Sequence, residues 1–198
     1  AVLESLGLLE GNSFDYPLYI GTAITLALIL ASAYLYAYLF AKPMLSMGPS
    51  ALVLLIASVL TVLLCLLMGE YLNINAMPVA LGAMLVVNLL GARPAYVTNM
   101  ALTLIITLLT AKGTGLVTSQ TMSVLLTCSL GGLVAIWMMR KNTTRVMVVV
   151  SGLVVGAVNF GVLVCVRALT SSDMSGVWTD MAYAIGGAVV SAVLCVGL

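Results

Sequence analysis

Two sets of polar side chains recur at helical spacing in an otherwise apolar sequence. Tyr96, Asn99, Thr103, Thr107 and Thr110 follow one another at intervals of three and four residues. Gln120, Ser123, Thr127 and Gly131 do the same a little further along. Residues at these intervals share one face of a helix. Two such stripes turned toward each other would line a ligand pocket or a narrow water-filled path. The simpler account is that the hydroxyls bond carbonyls of their own helix, four residues back, and merely pack. Such hydroxyls are common glue between membrane helices, so this account takes precedence. Asn88 is a further lone amide with the same two readings.

Other chemistry is largely excluded. The sequence contains no His, which removes His-based metal sites, the usual general base and any Ser-His-Asp arrangement. No acidic residue lies deep in an apolar run, so a carboxylate proton relay has no candidate. The four cysteines, Cys65, Cys128, Cys165 and Cys195, lie in different segments without metal spacing. Cys65 and Cys165 both fall near outer helix ends and could pair, but buried free thiols are the expectation. No glycine-rich phosphate loop is present. These residues therefore predict no catalytic group, no metal site and no cofactor in the chain.

The elements that must position the polar stripes are membrane helices. Of 198 residues, 63% are hydrophobic and only 7% charged, with a mean hydropathy of +1.26. A soluble domain carries roughly 25% charged residues, so this chain lacks the charge to cover a water-facing surface. Seven apolar segments, about 17–40, 50–68, 76–91, 94–111, 119–139, 146–167 and 179–198, approach the ~20 residues that a bilayer core requires. "AKPMLSMGPS", "GEYLNINAMP", "GARP", "KGTGLVTSQ" and "SSDMSG" separate them with Gly, Pro, Asn and Ser turn chemistry. Backbone polar groups in hydrocarbon must bond internally, so the segments are predicted to be helices in an all-α bundle. The third is short and has Pro78 and Gly82 in its first half. Pro78 would suit a first helical turn.

Loop charge orients this bundle. Lys42, Arg93, Arg140, Lys141 and Arg145 fall on one side, for a charge of +5. Lys112 and Arg167 fall on the other with all six acids, for −4, and the two sides together give the net +1. Short loops rich in Lys and Arg stay in the cytoplasm. The prediction is an external N-terminus and a cytoplasmic C-terminus, with Arg93, Arg140, Lys141 and Arg145 as the cytoplasmic anchor. Tyr34, Tyr36, Tyr38, Phe40, Trp137 and Trp178 fall at predicted interfacial positions. Arg167 either pairs with Asp173 or Asp180 or, more plainly, snorkels to the outer headgroups.

Small residues predict where helices approach closely. Gly152 and Gly156 form a small-xxx-small pattern, with Asn159 seven residues beyond Gly152 on the same face. This could be a seam that moves on signalling, although a static contact is the preferred reading. Gly187 and Ser191 give the seventh segment a similar face.

Several stretches resemble a known family. "LESLGLLE" precedes the first span, followed by "MPVALGAMLVVNLLGARPAYV", "SLGGLVAIWMMRKNTTRVMVVVSGLVVGAVNFGVLV" and "GGAVVSAVLCVGL". They look like the membrane region of bacterial seven-transmembrane HD-domain proteins, the cyclic di-AMP phosphodiesterases of PgpH type. Matching positions include Pro78, Gly82, Ala83, Met84, Arg93, Gly132, Arg140, Lys141, Gly152, Asn159 and Gly197. The resemblance implies an extracellular domain before the spans and a cytoplasmic HD domain after them. In that HD domain, His and Asp residues hold a two-metal centre that hydrolyses the dinucleotide. With no His in these residues, that machinery must lie elsewhere in such a protein.

For these residues the resemblance implies a transmembrane sensor or transmitter in the bacterial inner membrane. Residues 1–16 would end an extracellular region or linker, and 17–198 would form the seven-helix domain. Its expected partners are the lipid bilayer, its own extracellular and cytoplasmic domains, and a second copy in a homodimer, with no nucleic acid. The acidic opening at Ala1, without a positive signal-peptide n-region, and the close at Leu198 suggest a piece of a longer protein. The alternative is a small transporter or channel-like subunit that uses the stripes of the fourth and fifth spans as its pathway.

Overall fold

The computed structural model describes residues 16–40, 48–111, 118–140, 144–169 and 176–197. They form seven α-helices: α1 (Tyr16–Phe40), α2 (Gly48–Tyr71), α3 (Leu81–Leu90), α4 (Ala92–Thr110), α5 (Ser119–Met139), α6 (Arg145–Leu169) and α7 (Val177–Gly197). A 3₁₀ turn at Ile74–Ala76 precedes α3, and no strand occurs among the described residues. Helices α2 and α4 to α7 are each long and apolar enough to cross a membrane. The opening residues of the sequence, and Lys42, Lys112, Lys141 and Asp173, lie outside the described residues.

The third segment departs from the expected continuous helix over 76–91. Asn73 accepts a hydrogen bond from the Asn75 amide at 3.1 Å and starts the 3₁₀ turn. Pro78 then prevents further helix, because it lacks an N–H and disfavours helical backbone in the residue before it. Met77 is accordingly extended (φ −58°, ψ 129°). A tight turn follows, in which the Val79 amide donates to the Met77 carbonyl at 2.8 Å, and α3 begins only at Leu81. Pro78 thus sits in the break rather than in a first helical turn.

The broken segment still reaches across the bundle. Ten α-helical residues rise about 15 Å, a 3₁₀ turn adds about 6 Å, and four partly extended residues add roughly 10 Å. That total is close to the ~30 Å of a hydrocarbon core. Non-helical backbone at such depth is tolerated only where protein or a cavity covers it. Every residue from Ala76 to Val87 is buried, so the condition is met.

The broken span occupies the centre. Helix α3 packs against α2, α4, α5 and α7, and the 3₁₀ turn packs against α2 and α7. Gly91, at φ +94°, makes the reversal from α3 to α4, a backbone conformation that glycine adopts without penalty. Helices α5, α6 and α7 pack successively on one another. Helix α1 is peripheral: it meets chiefly α4, and none of its described side chains is buried. Its half-buried Thr22, Leu26, Ile29 and Ala33 recur at helical spacing and mark the face turned inward.

Candidate intramembrane site

Two adjacent glycines of α5 seat two asparagines from the helices on either side. Asn99 of α4 lies against Gly132, where a Cβ would collide with its carboxamide. It is 2% exposed, and its Nδ2 donates to the Ser129 carbonyl at 3.4 Å. Asn159 of α6 lies against Gly131, where a built Cβ would stand 2.7 Å from Oδ1. Asn159 is 5% exposed, and its Oδ1 has no hydrogen-bond partner among the described residues. Only a residue without a side chain leaves room for an amide at such close approach.

A small cavity adjoins Asn159. Asn75 and Met77 border it from the broken span, Val124 and Thr127 from α5, Leu163 from α6 and Ala184 from α7. It has room for about one water molecule. Thr127 donates to the Ser123 carbonyl at 2.8 Å and the Val124 carbonyl at 3.1 Å of its own helix. The site lies toward the end of the bundle where Arg167 of α6 pairs with Asp180 of α7. That ion pair replaces the plainer expectation that Arg167 only snorkels.

The sequence of residues 16–198 matches the family described as a 7TM receptor with intracellular HD hydrolase. This chain belongs to that family. Comparison with curated proteins and with solved structures gave no match. The 7TM-HD receptor domain is thus a multi-pass membrane domain. Among its described residues no three metal-ligating side chains come together.

The predicted stripes of the receptor domain are only partly internal. Asn99, Thr103, Thr107 and Ser123 are buried, and Tyr96, Thr110 and Thr127 are half-buried. Gln120 is exposed in the first turn of α5, and Asn88 is exposed near the end of α3 rather than enclosed in the bundle. Several hydroxyls do bond their own helix: Thr98 to the Pro94 carbonyl at 2.9 Å, Thr110 to Ile106 at 2.7 Å, and Thr127 as above. The Thr107 and Ser123 hydroxyls have no partner among the described residues. The Asn99–Gly132 contact sets an antiparallel register that carries them toward the same level.

The glycine seam of α6 faces α7. A Cβ on Gly152 would lie 2.5 Å from the Ala192 Cβ, whereas one on Gly156 would make ordinary contact at 3.5 Å with Ile185. Ser191 is fully buried and bonds the Gly187 carbonyl at 2.8 Å. Gly187 itself meets the broken span: its Cβ would stand 2.6 Å from the Ala76 carbonyl oxygen. Among the described residues no N–H donates to that carbonyl, and the α7 backbone covers it.

The remaining candidates divide between surface and core. Arg93, Arg140 and Arg145 are exposed at one end of the bundle. Trp137 and Trp178, at opposite ends, are 70% and 76% exposed; the side chains of Tyr38 and Phe40 lie outside the described residues. All four cysteines are free, Cys65 and Cys128 share one buried cluster, and Cys165 is exposed. The expected free thiols are found in place of a Cys65–Cys165 pair, although Cys165 is exposed rather than buried. The sequence reading missed the two amide seats; the tandem Gly131-Gly132 is the signal that could have pointed to them.

Proposed function

We propose that this 7TM receptor domain is the sensing and transmitting part of a cyclic di-AMP phosphodiesterase of the bacterial inner membrane. Its N-terminus lies outside and its C-terminus in the cytoplasm. It relays an extracellular signal to an intracellular HD hydrolase, whose His and Asp residues hold the two-metal centre, and it works as a homodimer. The family match over residues 16–198 carries this reading. The broken span supports the relay, because α3 touches four other helices and its unwound entry offers a place to bend. Loop charge supports the orientation.

Topology is tested with single cysteines in a Cys165→Ser background, where the remaining thiols are buried. An impermeant maleimide applied to intact cells should modify Thr179→Cys and leave Thr144→Cys unmodified. Modification of Thr144→Cys would reverse the orientation. For the relay, the full-length protein in lipid should hydrolyse cyclic di-AMP at a rate altered by Gly187→Ala. Absence of hydrolysis removes the substrate, and a rate indifferent to that substitution removes the relay.

The transporter alternative has less support. The cavity beside Asn159 is the size of about one water molecule. Two hydroxyls of the stripes, Thr110 and Thr127, are engaged with their own helices.

A further inference from the structure

We propose that the cavity beside the broken third span is a binding site for a single water molecule, which links Asn159 of α6 to Thr127 of α5 and Asn75 of the 3₁₀ turn. The inference is independent of the receptor's signal and of the reaction carried out by any attached hydrolase.

Three observations carry it. Asn159 is buried, with an exposure of 5%, and its Oδ1 finds no partner among the described residues. Leaving such an atom bare inside a membrane bundle is heavily penalised. The cavity that Asn159 borders has room for about one water molecule, too little for an acyl chain or a larger solute. No charged side chain lines it, so a bound cation would have no counter-charge.

The polar groups also suit water's two donors and two acceptors. Thr127 spends its hydroxyl proton on its own helix carbonyls, which leaves its oxygen as an acceptor. Asn159 Oδ1 is a second acceptor, and the carboxamides of Asn159 and Asn75 can donate. The site lies about 12 Å below Arg167, because Asn159 precedes that residue by eight positions along α6. A water there connects three elements without fixing them to one another. The turn can shift against α6 while both keep their hydrogen bonds.

Gly131 sets where the amide sits. A Cβ added there would stand 2.7 Å from Asn159 Oδ1, and the movable end of the side chain must yield. Gly131→Ala therefore pushes the carboxamide into the space assigned to the water.

The test is water-edited solid-state NMR on this chain in lipid bilayers, with asparagine labelled with ¹⁵N and side-chain signals assigned by single Asn substitutions. Magnetisation from water should reach the Asn159 carboxamide several-fold faster than that of Asn99, which is bonded to the Ser129 carbonyl. Exposed Asn88 provides the fast reference. Gly131→Ala should lower the Asn159 transfer to the Asn99 level. Transfer to Asn159 in the unaltered chain as slow as to Asn99, or transfer from lipid acyl protons instead, overturns the proposal. If Gly131→Ala fails to fold, the unaltered chain still decides the question.

Discussion

Gly186 and Gly187 offer a matched pair of substitutions on α7. A Cβ on Gly187 would lie 2.6 Å from the Ala76 carbonyl oxygen, 2.9 Å from its carbon and 3.0 Å from the Met77 carbonyl oxygen. A comfortable carbon–oxygen approach is about 3.3–3.6 Å, so the shortfall at the nearest atom is roughly 0.7–1 Å. The obstacles are backbone atoms of a buried segment, which cannot rotate aside. Gly186 has nothing within 4 Å of its built Cβ.

Replacing either glycine with Ala raises helix propensity by about 0.8–1.0 kcal/mol, and the gain cancels between the two variants. What remains is overpacking at Gly187, about 1–3 kcal/mol, toward the upper end because backbone must move. Reversible unfolding in mixed micelles, followed by circular dichroism and by Trp fluorescence, measures the difference. Gly187→Ala should be the less stable by that amount, while Gly186→Ala equals or exceeds the unaltered chain. Equal stability would falsify the close approach of α7 to the broken span.

Three other outcomes follow from contacts already described. Gly152→Ala, which collides with Ala192, should be less stable than Gly161→Ala, which has open space around it, by about 1–3 kcal/mol; thermal unfolding in detergent compares them. Gly132→Ala should displace Asn99 and break its bond to Ser129, costing on the order of 1–3 kcal/mol for a buried polar group left unpaired; an unchanged Asn99 side-chain NMR shift would argue against that seat. The Arg167–Asp180 pair is partly exposed, so a double-mutant cycle with Arg167→Ala and Asp180→Ala should give a coupling of roughly 0.5–1 kcal/mol that shrinks in high salt.

The bundle was legible in the sequence to the extent that hydropathy and turn chemistry speak one segment at a time. The seven segments appear as seven helices, and "GARP" makes the tight reversal it suggested, through Gly91. Which face of each helix turns inward was far less legible. Lipid tails are as apolar as Leu, so a membrane helix has no hydrophobic reason to show which side is buried. Helices α1 and α3 are both predominantly apolar, yet one is peripheral and the other central.

Polar side chains carried more information, with errors of their own. Asn99 and Asn159 were picked out by spacing and are buried. Gln120 satisfied the same rule, and Asn88 was singled out as a lone amide, but both are exposed near helix ends. Pro78 signalled irregularity in the third segment. Its effect depends on whether neighbouring helices can shield unpaired carbonyls, and one segment cannot report that. The Arg167–Asp180 pair joins residues 13 positions apart on two helices, so helix-face spacing could not select between Asp173 and Asp180.

The covered carbonyl at Ala76 has a consequence for how the chain is made. Helices leave the ribosome in order, and the broken span emerges long before α7. Alone in lipid, it would present a bare carbonyl and an interrupted hydrogen-bond ladder, which hydrocarbon does not accommodate. Coupling to α4 through Gly91 lets the two enter as a hairpin, but α4 does not supply the backbone that lies over Ala76. That backbone belongs to Gly187 of α7, four helices later in the domain. The centre of this domain is therefore sealed by α7, and the carbonyl at Ala76 stays unshielded until that helix has been made and packed against the broken span.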